Sequence, residues 1–218
     1  MKGLDNWSRG AALTGAAFTI LVAAGAVLSG STPGDTASGR AVIAFYLTHA
    51  ARQKAAVAFL AFAFVALIFF ASWLRVYFRR QTSQDGLAVT ALAGVAVLAT
   101  GQTIGAGLGW TLSAAPGQLQ PAAAQALNAA ANDMVITSAA GWFIFSVAIG
   151  LAIIRSKALP SWLGWVSVVI AIVVVTPAEF AAFLAFAVWT LIVSVLTWRR
   201  SRTPGSAGEK IGDAVLAS

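Results

Sequence analysis

Few side chains in this sequence could do chemistry, and they gather in a handful of places. Gln102 and Thr103 sit in the stretch TGQTIGAGLGW, Thr100 to Trp110. Asp133 and Thr137 are four residues apart, as are His49 and Gln53, so each pair shares a face if its segment is helical. Glu179 falls in a short polar break, TPAEF. Neutral amides and hydroxyls beside a carboxylate or an imidazole suit a ligand, an ion or a proton, with Asp133, His49 and Glu179 as the titratable members. Catalysis has less to stand on. The chain has no cysteine and one histidine, which removes thiolate chemistry and a multi-histidine metal site within one copy. HExxH, GxSxG and P-loop patterns are absent, and no histidine neighbours Ser146 or Ser167. We therefore expect no enzyme, no cofactor and no metal.

The elements that must position these residues are apolar. Of 218 residues, 59% are hydrophobic and 10% charged, and the mean hydropathy is +0.84. Soluble domains carry roughly 25% charge. Six runs approach the roughly 20 residues that a bilayer core requires: 11–29, 55–74, 87–110, 134–154, 162–176 and 180–198. None alternates as a barrel strand would, and lipid admits only helices or closed barrels. The expected fold is all-α: a polytopic bundle of six transmembrane helices in one domain, 1–202, followed by a mobile cytoplasmic tail, 203–218. The first run also has a signal-peptide layout, but its 19 residues exceed the usual apolar core of roughly 7–15, so a retained helix is expected.

Charge sets the orientation. The net charge of +7 and pI of about 10.9 would suggest nucleic acid in a soluble protein, but here the cations cluster beside apolar runs. With the N-terminus inside, 11 of the 14 lysines and arginines fall on the inner side, leaving Arg40, Arg52 and Lys54 outside. Trp7, Trp73, Trp162, Trp165 and Trp198 fall near the same inner boundary, where amphipathic rings anchor. Both termini are expected in the cytoplasm, the partner is the lipid bilayer, and nucleic acid is not expected. The outer connections are longer than the inner ones. AVIAFYLTHAARQK reads as a helix running into the second span, and Pro121 as the first residue of a helix continuing into the fourth.

Gly101, Gly105 and Gly109 are spaced by four and stack on one face of the third helix. Each glycine costs a helix about 1 kcal/mol against alanine, so the ladder needs a reason. Close helix packing in lipid supplies one, with Ala139, Ala140 and Gly141 of the fourth helix as matching small residues. The partner lies within the same bundle or in a second copy or another membrane protein. Gly105→Leu is expected to disrupt that contact. Gln102 should lie roughly 12 Å below the Trp110 end of the helix. Two readings of the polar groups stay open. In one, Gln102 and Thr137 are interhelical glue while Asp133 orients its helix and pairs with Arg40, Arg52 or Lys54. In the other, Gln102, Thr103, Asp133, Thr137, His49 and Glu179 form an outward-facing pocket.

Two stretches carry a resemblance. FYLTHAARQKAAVAFLAFAFVALIFFASWLRVYFRR, Phe45 to Arg80, and ALPSWLGWVSVV, Ala158 to Val169, look like segments of uncharacterised actinobacterial integral membrane proteins with six helices. The resemblance covers about half of the chain. It implies a multi-pass protein of the bacterial cytoplasmic membrane and no assigned activity or catalytic residues. The expected function is a non-enzymatic structural, sensory or accessory component. The alternative is a small transporter or receptor for a lipophilic or cationic solute.

Overall fold

The computed structural model describes residues 2–81, 85–176 and 178–202, and their side chains apart from those of 2–9, 80, 81, 179, 180, 201 and 202. The tail expected at 203–218 and the Glu179 side chain lie outside the described residues. The described chain is helical with no strand: α1 (Lys2–Ser29), α2 (Gly39–Gln81), α3 (Asp85–Ala114), α4 (Pro121–Ser156), α5 (Ser161–Val173) and α6 (Glu179–Arg202). A single 3-10 turn, Pro116–Gln118, interrupts the α3–α4 connection. Consecutive helices pack on each other, α6 closes back onto α1, and α2 touches α4 across the ring.

Among the described residues, five helices are long and apolar enough to cross a membrane: Gly10–Ser29, Gly39–Arg79, Asp85–Ala114, Pro121–Ser156 and Ala181–Arg200. The expected fifth span is shorter than the sequence suggested. Helix α5 has 13 residues, about 20 Å of rise against a hydrocarbon core of about 30 Å. Its last turn closes at Thr176, whose N–H donates to the Val173 carbonyl at 3.0 Å, and a proline follows in sequence. A residue before proline is pushed away from helical angles, so the apolar text of 162–176 outruns the helix it can form.

The helix ends are made by identifiable devices. Gly30 takes a left-handed conformation (φ 59°) and donates to the Ala26 carbonyl at 3.1 Å, stopping α1. The freed carbonyls of that end are then satisfied from α2. Arg52 donates Nε to Leu28 O at 2.5 Å and Nη2 to Val27 O at 3.2 Å, and Gln53 donates Nε2 to Ser29 O at 2.7 Å. A cation suits the negative end of a helix. Pro121 does open α4, with Gln120 extended before it, and Lys157 closes the helix in a left-handed turn (φ 53°).

Aromatic rings fill the centre. Phe186 of α6 meets Phe18 of α1, Trp142 and Phe145 of α4 edge-on at 5.8, 5.2 and 5.6 Å between centroids. Such pairs add about 0.5–1.5 kcal/mol beyond area burial. Hydroxyls stitch helices together around them: Ser194 Oγ donates to Ala12 O at 2.6 Å, and Ser167 Oγ to Ser146 O at 2.9 Å. Trp73, expected as an interfacial anchor, is instead buried, stacked on Phe70 at 6.4 Å and tilted against Tyr77 at 5.3 Å between centroids. A second, smaller core (Val42, Tyr46, Leu112 and Ala124) joins the start of α2, the end of α3 and the start of α4. This is the cap end of the bundle, the predicted outer side. The opposite end, with Arg75, Arg155 and Arg200, is the basic end.

Candidate functional site

Helices α3 and α4 form the most extensive pairing in the bundle, and they diverge like a wedge toward the cap end. A Cβ placed on Gly94 would lie 2.5 Å from the Phe145 backbone nitrogen, and one on Gly141 would lie 2.6 Å from the Gly94 carbonyl oxygen. No side chain fits there. About two turns further along, a Cβ on Gly101 would meet Ser138 Oγ at 2.7 Å. On Gly105 it would meet Met134 Cβ at 3.3 Å, near ordinary contact. On Gly109 it would reach only Val57 of α2, at 3.4 Å. The glycine ladder therefore faces α4 within the same chain at Gly101 and Gly105, while Gly109 has turned to α2. The tightest contact lies below the ladder, at Gly94 and Gly141. A Cβ on Gly150 of α4 would likewise lie 2.8 Å from the Gly164 carbonyl of α5.

The widening wedge opens a cavity of about 310 Å³ between α2, α3, α4 and the end of α1. Its floor carries Gln102, with Leu60 and Val135 beside it. Val57, Ala106 and Met134 form an apolar waist. The mouth carries Ser29, Thr32, Tyr46, Gln53 and Asn132. Several of these groups are held in place. Gln53 is 3% exposed and bonded to Ser29 O, and Asn132 donates Nδ2 to Pro33 O at 3.3 Å. One turn earlier Asn128, 2% exposed, donates to Pro33 O and Gly34 O at 3.2 and 3.0 Å. The two asparagines thus clamp the α1–α2 connection over the mouth.

Gln102 also lines a second void, of about 10 Å³, together with Phe18, Phe64, Trp142 and Phe186. That is about the space of one water molecule. The Gln102 amide has no hydrogen-bond partner among the described residues, and neither has Nε1 of Trp142, which is 6% exposed. Two polar groups looking for partners thus border the same small space, directly beneath the larger cavity.

The other expected site residues lie elsewhere. Thr103, Asp133 and Thr137 are exposed on the outer faces of α3 and α4, and none lines the cavity. Thr103 donates to Ala99 O of its own helix at 2.7 Å. His49 stacks on Phe45 at 4.6 Å, and its Nδ1 sits 2.9 Å from the Phe45 carbonyl oxygen. Glu179 begins α6. Among the described residues the one ion pair is Arg75–Asp85 at 3.2 Å, so Asp133 meets none of its expected cationic partners. Arg52 is occupied with the end of α1, and Lys54 lies over the Trp110 ring at 5.9 Å.

The lining residues that the sequence does not mark as a site are Tyr46, Asn132 and the wall of α2. Tyr46, Gln53, Val57 and Leu60 follow at steps of seven, four and three, one stripe of a helix. Gln53 and Asn132 are visible in the sequence as polar residues, but their neighbours His49 and Asp133 carry the charge chemistry. Tyr46 is the one titratable residue of the lining, and the rest is amide, hydroxyl and hydrocarbon. The arrangement can hydrogen-bond a neutral polar group and enclose an apolar body; it offers no acid–base pair. No protein-family model matches the chain, and no curated protein or solved structure matches it.

Proposed function

We propose that this chain is a six-span protein of the bacterial cytoplasmic membrane with both termini inside, acting as a non-enzymatic sensory or accessory component. Its working element is the cavity above Gln102, which receives a small uncharged amphipathic molecule. The observation that carries this is the lining: neutral hydrogen-bonding groups at mouth and floor, an apolar waist between them, and no carboxylate or cation. Pockets of about 300–1,000 Å³ with a few convergent polar groups are the usual form of a small-molecule site. The two stretches that resemble actinobacterial membrane proteins support the multi-pass architecture and add nothing about the ligand. On this reading Asp133 is peripheral, and a cationic solute is not the ligand.

Thermal unfolding of the purified chain in nanodiscs tests this, with 1-decanol and decyltrimethylammonium as matched neutral and cationic probes. A ligand that binds only the folded protein raises its apparent stability by mass action. We expect decanol to raise the wild-type melting temperature, Gln102→Leu to abolish the rise and Asp133→Asn to leave it intact. A rise with the cationic probe that Asp133→Asn removes would replace this reading with cation recognition. Flat curves for both probes would leave the polar groups as interhelical glue.

A further inference from the structure

We propose that a cleft between α2 and α3 at the basic end binds the phosphate of an anionic phospholipid. Ser72, Arg75, Val76, Arg79 and Leu92 line it, enclosing about 220 Å³. Positions 72, 75, 76 and 79 share one face of α2, so both guanidinium groups reach the same space. The cleft begins where the apolar run 55–74 ends, which sets Arg75 at the level of lipid headgroups. Val76 and Leu92 give the wall an apolar surface for the adjoining methylenes.

What the arginines do elsewhere sharpens the assignment. Arg52 donates to carbonyls at the end of α1, and Arg200 donates to the Ala158 carbonyl. Arg75 spends its Nε on Asp85 of α3, in a pair exposed on both sides and so weakly held. Its remaining N–H groups stay available. Arg79 is exposed and has no partner among the described residues. Ser72 already donates to Ile68 O at 2.8 Å, so recognition falls to the two guanidinium forks. Planar forks match the oxygens of a phosphate, and two cations favour a headgroup with net negative charge over a zwitterionic one. Basic clefts between membrane helices are used for anionic headgroups in this way.

The test is native mass spectrometry and thermal unfolding of the purified full chain with phosphatidylglycerol, chain-matched phosphatidylcholine, or inorganic phosphate. We expect phosphatidylglycerol to bind and stabilise in preference to phosphatidylcholine. Arg79→Gln should weaken that binding about fivefold, the effect of one arginine near a lipid surface. Asp85→Asn, which releases Arg75, should strengthen it, and Arg199→Gln should leave it unchanged. Equal binding of the two lipids, or a preference that survives Arg79→Gln, would overturn the site. So would an equal loss in Arg199→Gln, which would reduce the effect to general surface charge. Stabilisation by inorganic phosphate as strong as by phosphatidylglycerol would move the occupant from a lipid to a free anion.

Discussion

Between Gly94 and Gly101, α3 and α4 lie backbone against backbone; between Gly105 and Gly109 the same two helices stand far enough apart to leave a cavity of about 310 Å³. In the first region glycine is required because a side chain would collide with main-chain atoms at Gly94 and with Ser138 Oγ at Gly101. In the second, glycine helps to leave space empty. The same residue type at the same spacing thus does two jobs, set by where it falls along a wedge. Lipid makes the contrast sharper than water would, because hydrocarbon gives no hydrophobic reward for closing the gap and contact itself must hold the helices. The dry region is tied by packing and by hydroxyls donating to carbonyls across helices. The open region is tied by amides: Gln53 to the end of α1, and Asn128 and Asn132 to the turn beyond it.

The contrast can be broken from its tight end. Gly141→Leu should cost the most, about 3 kcal/mol or more, because overpacking a rigid backbone contact has no cheap relaxation. Unfolding in mixed micelles would measure it, and a variant as stable as wild type would remove the close contact from the account. Gly150→Ala attacks the second backbone contact, against α5, and should cost about 1–3 kcal/mol by the same assay.

Asn128→Ala comes next, at about 0.5–1.5 kcal/mol, for it removes the Asn128 donor from Gly34 O and leaves Pro33 O to Asn132 alone. Its signature should be local: faster hydrogen exchange at the start of α2 and the end of α3, with the basic end unchanged. Gly105→Leu sharpens the comparison directly. The sequence alone marked it as disruptive, but its side chain would project beside open space. We expect clearly less destabilisation than Gly141→Leu, together with loss of any response to decanol. Asp133→Asn should be smallest, within about 0.5 kcal/mol, as for other exposed positions without special contacts. A larger loss would return Asp133 to the site.

How much of this was legible without the structure depends on what kind of signal each part leaves. Long apolar runs and the proline at 121 leave a strong one, because hydrocarbon thickness and the missing N–H of proline constrain the text directly. Helix α2 could be followed from AVIAFYLTHAARQK into its span for the same reason. The length of α5 was obscured because the apolar run continues through Val174 and Val175 although the helix stops at Val173. Gln102 was found because an amide in an apolar run is conspicuous. Its companions were misjudged because charge was taken as the mark of a site. Asp133 and its neighbour Asn132 differ by one residue, about 100° around a helix, and only one of them lines the cavity. Gly94 was missed because its partner Gly141 lies on another helix, and sequence spacing records only contacts along one.

Helix α2 runs unbroken for 43 residues, about 65 Å, roughly twice the hydrocarbon thickness. After Gly39 it contains no glycine and no proline, so the usual causes of a kink are absent along its length. Tyr46 and Gln53 border the cavity at one end, and Arg75 and Arg79 border the phosphate cleft at the other. The two sites are therefore fittings on one hingeless strut. A rod of this kind transmits tilt rather than absorbing it, so a displacement at the cap end is carried along α2 to the arginines.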